Sequence, residues 1–314
     1  MLKNKRIIVT GGAGFLGSHI VARLNSNNEI FVPRSKDYDL KNPEAVKQMF
    51  LDFKKTDIVI HAAADIGGIG YSSTHPGNQF YNNALMNLHV THESFAAGVS
   101  KFVGIGSVCE YPAITSVPFK EECLFDGYPV ITNDSYGLTK RMLLVQCNAY
   151  RKQYGFNSIH LLPVNLYGPK DDFDPANSHV IPALIRKVVA AMENNSEAVE
   201  VWGTGNESRE FVYVDDAAKA VVLATELYDK SEPVNIGSGS EITIKELAKL
   251  VADILGYKGK FIFLDNGLGG QQRRMLDVSR AKDEFGFVAE TKLFDGIKNT
   301  IRYYLDNRTD LESY

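Results

Sequence analysis

The chain has 314 residues, enough for one large or two modest domains with a full apolar core. Its 34 basic and 38 acidic residues nearly balance and form no long block of either sign, so a general nucleic-acid or membrane-surface role is unsupported. No apolar stretch reaches membrane length, and Cys109, Cys123 and Cys147 lack metal-ligand spacing; free thiols, a cytoplasmic location and no metal site are expected.

The apolar run 6–10 predicts a buried strand, followed by Gly11-Gly-Ala-Gly14-Phe-Leu-Gly17 and a helix to about Leu24. Glycine at 11, 14 and 17 permits a tight turn, close approach of backbone amides to a diphosphate, and close packing of helix on strand. Gly11, Gly14, Phe15, Leu16 and Gly17 are therefore expected to hold a dinucleotide. A second strand, 29–32, ends in Pro-Arg34-Ser-Lys36, with no acid before Asp37. A site preferring NAD places a carboxylate there for the ribose hydroxyls, whereas arginine receives a 2′-phosphate. NADP(H) is the expected cofactor, with Arg34 on its phosphate and Asp39 and Leu40 near the adenine.

Residues 43–53 read as a helix, and 57–61 as a third strand running into Ala62, Ala63 and Ala64, small enough to lie against the cofactor. His61 reads as a packed residue. An irregular stretch from Ile66 through Pro76 is expected to form a flap, and 77–98 a long helix. The strand 102–106 delivers Ser107-Val-Cys109 at its C-terminal end, where doubly wound sheets bind ligands. Ser135-Tyr-Gly-Leu-Thr-Lys140 opens a helix to about Gln153. Tyr136 and Lys140 are four apart and share one face. A phenol ionises near pH 10, and an ammonium beside it favours the phenolate, bringing its proton within reach of a carbonyl undergoing reduction. Ser107 is the expected partner holding that carbonyl.

A strand at 158–163 ends in Val164-Asn165-Leu-Tyr-Gly-Pro169, after which the elements shorten. A loop over 171–178 leads to His179-Val-Ile-Pro182, where proline suits a first helical turn and sets His179 at the helix mouth. Beyond lie a strand at 199–202, Arg209-Glu-Phe, a helix from Val214, a helix at 244–255, a strand at 260–264, Arg273-Arg274-Met-Leu-Asp277, and helices near 279–285 and 293–305. The expected fold class is α/β: a doubly wound Rossmann-type parallel sheet over 1–165, with returning segments near 210–235. A smaller C-terminal α/β substrate domain takes most of 166–314.

Gly11, Gly14, Gly17, Ser107, Tyr136 and Lys140 together resemble the extended short-chain dehydrogenase/reductases that act on nucleotide sugars. Gly106-Ser-Val-Cys109-Glu-Tyr-Pro, Asn165-Leu-Tyr-Gly-Pro, Asn177-Ser-His179-Val-Ile-Pro-Ala-Leu, Val201-Trp-Gly-Thr-Gly and Arg209-Glu-Phe resemble, across nearly the whole chain, the GDP-L-fucose synthase family. That family inverts C3 and C5 of GDP-4-keto-6-deoxy-D-mannose and reduces C4 with NADPH. The resemblance implies Cys109 and His179 as the acid/base pair for inversion. A ketone at C4 acidifies the C3 and C5 hydrogens, and thiol and imidazole, with ordinary pKa values of about 8.5 and 6.5, suit their exchange. Which abstracts and which donates stays open. The resemblance further implies His179 beside the cofactor, Asn165, Trp202 and Arg209 on the substrate, Arg209 on its diphosphate with Lys187 assisting, and a homodimer built on the helix at 77–98 and the one after Tyr136. The alternatives are an NAD-dependent 4-epimerase, a C4-ketoreductase on another nucleotide sugar, and a non-catalytic dinucleotide sensor. Departures from the family pattern occur at Phe15-Leu16, at Gly137, and at Leu268-Gly-Gly270 ahead of Arg273-Arg274.

Overall fold

A computed structural model describes residues 2–24, 27–265 and 271–311. In chain order the elements are β1 Arg6–Thr10, α1 Phe15–Leu24, β2 Glu29–Phe31, α2 Pro43–Asp52, β3 Ile58–His61, α3 Ile69–Thr74, α4 Pro76–Ala96, β4 Lys101–Ile105, α5 Asp134–Tyr154, β5 Ser158–Pro163 and β6 Asn165–Tyr167. They continue as α6 Val180–Glu193, β7 Ala198–Trp202, β8 Ser208–Tyr213, α7 Val214–Leu227, β9 Val234–Ile236, β10 Glu241–Thr243, α8 Ile244–Leu255, β11 Lys260–Leu264, β12 Arg273–Arg274, α9 Ser279–Phe285 and α10 Leu293–Leu311.

Six strands form one parallel sheet in the order β2-β1-β3-β4-β5-β9. β3 and β4 are buried along their whole length because helices cover both faces. On one face α1 packs on α7 over Ile7, Val9, Ile20 and Val221; on the other α2, α4 and α5 enclose Ile8, Val46, Phe102 and Leu143. From β1 the chain steps to β2 on one side and returns to β3 on the other. The ends of β1 and β3 therefore flank the crevice where open α/β sheets bind ligands.

The remaining strands centre on β8, which pairs with β6, β10 and β12, while β7 and β11 form a separate parallel pair. α6, α8 and α10 pack around a second core that includes Leu184, Val188, Leu247, Val251, Ile297 and Tyr304. Its boundaries follow local signals: Thr243 and Glu246 make a capping box at the start of α8, and Gly256 ends it at φ 80°. β8 leads straight into α7, and β9 pairs with β5, so residues 214–236 rejoin the parallel sheet.

Two expectations change, and two strands are added. The stretch after Ile66 is not wholly irregular but contains α3, where Tyr71 stacks on His75 and donates its hydroxyl to Asp65 at 2.6 Å. β6 and β9 are too short for alternation to reveal, and form because β8 and β5 offer them unpaired edges. The last helix runs on to Leu311.

Candidate active site

Gly11 adopts φ +69°, and a Cβ there would meet Ala63 N at 2.7 Å and Ala62 C at 2.8 Å. The end of β1 thus touches the end of β3 across the crevice. Gly17 lies against the Gly11 carbonyl with no space for a side chain, whereas Gly14 is exposed and would meet only that carbonyl, at 3.2 Å. The turn is closed below and open at Gly14, with Phe15 and Leu16 in the first turn of α1, a cradle that fits a diphosphate. Ala62, Ala63 and Ala64 are half-buried beside it, and Arg34 is exposed just beyond β2. Asp39 is exposed and accepts the Lys41 N–H at 3.0 Å, while the Leu40 side chain is buried in the core with Val46 and Phe50.

Below this turn, Thr10 Oγ1 lies 2.7 Å from His61 Nδ1, His61 Nε2 3.0 Å from Asn87 Oδ1, and Asn87 Nδ2 donates to the Thr139 carbonyl at 3.0 Å. Because the Asn87 amide nitrogen is committed to Thr139, its oxygen faces the ring and His61 carries its proton on Nε2. Burial, with the Lys140 charge, pushes His61 down to about 3. It is a neutral packing residue, as the sequence suggests.

β4 delivers Ser107 to the cap of a 3-10 turn, Val108–Glu110. The Ser107 hydroxyl accepts the Cys109 N–H at 3.1 Å, and the Glu110 carboxylate accepts the Ser107 N–H at 2.8 Å. α5 lies directly on this turn, for the Cys109 carbonyl occupies the space a side chain at 137 would need. Glycine after Tyr136 thus has a packing cause. Burial, then the Cys109 and Glu110 charges, hold the Tyr136 phenol above its ordinary value, and a hydrogen bond with Ser107 opposes them. Lys140 is buried, its Nζ donating to the Ile105 carbonyl at 2.8 Å and lying 5.6 Å from the Tyr136 ring centre. Burial pushes Lys140 down to about 8, with Glu110 opposing. The sequence predicts that Lys140 draws the phenol down; in the protein alone burial holds it up, and the pull that opposes is the Ser107 hydrogen bond rather than Lys140.

A second wall is tied to the first where the Gly68 N–H donates to the Asn177 carbonyl at 2.6 Å, ahead of α6. His179 caps α6 without a side-chain capping bond. It is solvent-exposed, yet burial lowers its pKa, with Asp172 opposing; both hold for a ring on the wall of a cleft. Among the described residues it bonds none of Ser107, Cys109 or Tyr136, so the structure groups those three with Lys140 and leaves His179 apart. Arg209 on β8 and Arg274 on β12 are register partners. Burial and the Arg274 charge push Arg209 down to about 10, with Glu207 opposing. Two guanidiniums in register are of the charge and geometry that suit a phosphate. Asn165 donates to the Glu210 carbonyl at 2.7 Å, tying β6 to β8. Trp202 is exposed rather than core, and Lys187 sits 5.6 Å from its ring with Nζ donating to the Glu200 carbonyl at 2.9 Å, on the β7 side.

Four residues escape the sequence reading. Arg274 is selected over Arg273 only by its register with Arg209. Asn133, whose amide donates to Cys109 Sγ at 3.1 Å, and the buried Glu110 and His160 become visible only when the turn is built. The departure at Leu268-Gly-Gly270 lies outside the described residues. Among the described residues no group of three or more His, Cys, Asp or Glu is placed to hold a metal, and no helix is long and apolar enough to cross a membrane.

The model of the NAD dependent epimerase/dehydratase family matches residues 7–237. The chain belongs to that family. Within the epimerase/dehydratase family its curated relatives include a GDP-L-fucose synthase from Sinorhizobium fredii, 38% identical over 99% of this chain and 98% of the relative. Among solved structures, a GDP-6-OMe-4-keto-L-xylo-heptose reductase from C. jejuni superposes with TM-score 0.90 at 29% identity, covering 98% of this chain and 99% of that one. A GDP-L-fucose synthetase from Naegleria fowleri, bound to NADP, does so with TM-score 0.88 at 27% identity, covering 98% and 96%. The resemblance to GDP-L-fucose synthases and the Rossmann-type α/β fold expected from the sequence both hold.

Proposed function

We propose that this chain is an NADPH-dependent epimerase/reductase of a GDP-4-keto-6-deoxyhexose. The observation that supports the reading is one cluster, half-buried Ser107 and Cys109 with buried Tyr136 and Lys140, beside the glycine cradle. The cradle from Gly11 to Gly17, Ala62–Ala64, Arg34 and Lys140 would hold NADPH, which supplies a hydride when bound. Ser107 holds the C4 carbonyl, which acidifies the hydrogens at C3 and C5. Cys109 and His179, from different walls, remove and return protons on opposite faces of the ring, so each carbon inverts. Tyr136, kept protonated by burial, then gives its proton to the C4 oxygen as C4 is reduced. Arg209 and Arg274 bind the diphosphate, and exposed Trp202 offers an aromatic face.

Residues 1–165, with the returning segment, serve the cofactor, and most of 166–314 serves the sugar nucleotide. Exposed Tyr81 and Leu88 on α4 and Val145 and Tyr154 on α5 offer the face for a homodimer, and three free thiols suit a cytoplasmic site of action. The likeness to the heptose reductase favours a second reading, reduction at C4 of another GDP-sugar without inversion. Incubation with NADPH and GDP-4-keto-6-deoxymannose in deuterium oxide separates the two. NADPH consumption with deuterium entering C3 and C5 is expected, and Cys109→Ser should suppress that entry while reduction of an already inverted ketone continues. Reduction without deuterium entry leaves a plain ketoreductase. Retained NAD with 4-epimerisation sinks both readings.

A further inference from the structure

Beneath the turn that carries Ser107 lies a carboxylate–imidazole pair, Glu110 and His160, with 0% and 1% of their surface exposed. Glu110 belongs to the 3-10 turn after β4, and His160 to β5, in register with Gly104. Glu110 Oε1 accepts the Ser107 N–H at 2.8 Å and lies 3.0 Å from His160 Nε2, while Oε2 lies 3.2 Å from the same nitrogen. Gly106 has no space for a side chain because both groups fill it.

A carboxylate in a protein interior is costly unless it is paired and hydrogen-bonded. Here the Ser107 N–H and His160 Nε2 offset that cost, and both partners hold the carboxylate at the turn that carries Ser107. The titratable and charged groups facing Glu110 are His160 from β5, Lys140, Arg141 and Tyr136 from α5, and Tyr111 beside it in the chain. Arg141 is engaged with the carbonyls of Glu110 and Gly127. The hydrogen bond of Lys140 goes to a neutral carbonyl, that of Ile105, and the charge opposing its desolvation is Glu110. His160 Nδ1 has no partner among the described residues, so the ring is committed to Glu110 through Nε2 alone.

We propose that Glu110, oriented by His160, is a positioning residue for Ser107, Tyr136 and Lys140: its carboxylate fixes the Ser107 backbone from below, in the turn on which α5, carrying Tyr136 and Lys140, packs at Gly137. The inference rests on the reductase reading of those three residues. Glu110 raises both Lys140 and Tyr136, so removing its charge lowers both. The two shifts share a sign and move the alkaline limb of reduction to lower pH.

Glu110→Gln removes the charge and keeps an amide oxygen for the Ser107 N–H. In protein labelled with 13C-lysine, the ε-carbon signal of Lys140 is assigned by its loss in Lys140→Met. Its titration midpoint should fall by about half a pH unit or more in Glu110→Gln, the shift expected on losing a nearby opposite charge. The kcat–pH profile for NADPH consumption should move the same way, with KM for the keto sugar within about twofold. An unchanged lysine midpoint, or a superimposable kcat profile, overturns the proposal. Should Glu110→Gln fail to fold, His160→Gln, which retains a donor for Glu110, should keep most of kcat, while His160→Leu loses about tenfold, the loss of one hydrogen bond to a charge. Equal kcat in these two overturns it as well. If the wild-type protein consumes no NADPH with any keto sugar, the functional reading falls, and the lysine titration still decides the positioning claim.

Discussion

The two groups of candidate site residues have opposite character. In the group at β4 and α5, Ser107, Tyr136 and Lys140 have committed partners, the last two are buried, and Gly137 lets backbone and helix touch. In the group on α6, β7, β8 and β12, His179 and Trp202 are exposed, and Arg209 is pushed down by burial and then by the Arg274 charge. The first group is organised before any ligand arrives, as groups that act on a transition state must be. The second carries two guanidiniums in register, with Glu207 opposing the shift of Arg209. Under the proposed function, chemistry falls to the first group and recognition to the second.

The largest effect that would test this division belongs to the first group. Tyr136→Phe should cut kcat for NADPH consumption by about 10²–10⁴-fold, the usual contribution of a positioned proton donor, with KM little altered. A rise in KM at constant kcat would move Tyr136 to the recognition side. Next, Arg209→Ala should raise KM for the sugar nucleotide by about 10–100-fold, the worth of one or two charge-assisted hydrogen bonds, and Arg274→Ala by less. A fall in kcat alone for Arg209→Ala would break the comparison from the other side. His179 gives a smaller signal. Its pKa is lowered by burial, so the ring stays neutral at pH values more acidic than a free histidine's, and deuterium exchange should persist below about pH 6.5. An acid limb at or above that value would show that the lowering is absent and that His179 is not the proton acceptor assumed here. Smallest is Thr243→Ala, which removes the α8 cap at the end of β10, where Thr243 is the register partner of Ser208 and carries none of the site's charge. It should cost about 1 kcal/mol, lower Tm by about 2 °C, and leave kcat and KM unchanged.

The first group was the more legible in the sequence, and the reason is geometric. Gly11, Gly14 and Gly17, Ser107 at a strand end, and Tyr136 four residues before Lys140 are each set by local spacing, which one element converts into position. Arg209 and Arg274 are 65 residues apart and become neighbours only through the β8–β12 register. Glu110 and His160 read as an ordinary turn acid and a strand histidine until β4 and β5 are paired. Lys140 was placed correctly against Tyr136, yet the sign of the phenol's shift was not, because the cost of burial depends on everything packed around the ring. The helix inside the stretch after Ile66 was hidden for a similar reason: its contacts run to Asp65 and to the residues before α6.

The absence of a side chain at Gly106 restricts the routes by which this sequence can drift. As long as Glu110 and His160 fill the space above its Cα, any heavier residue at 106 meets them at once. A lineage could acquire serine or alanine there only after one of the two had been exchanged for something smaller. Position 106 should therefore be the last of the three to change and the first to revert.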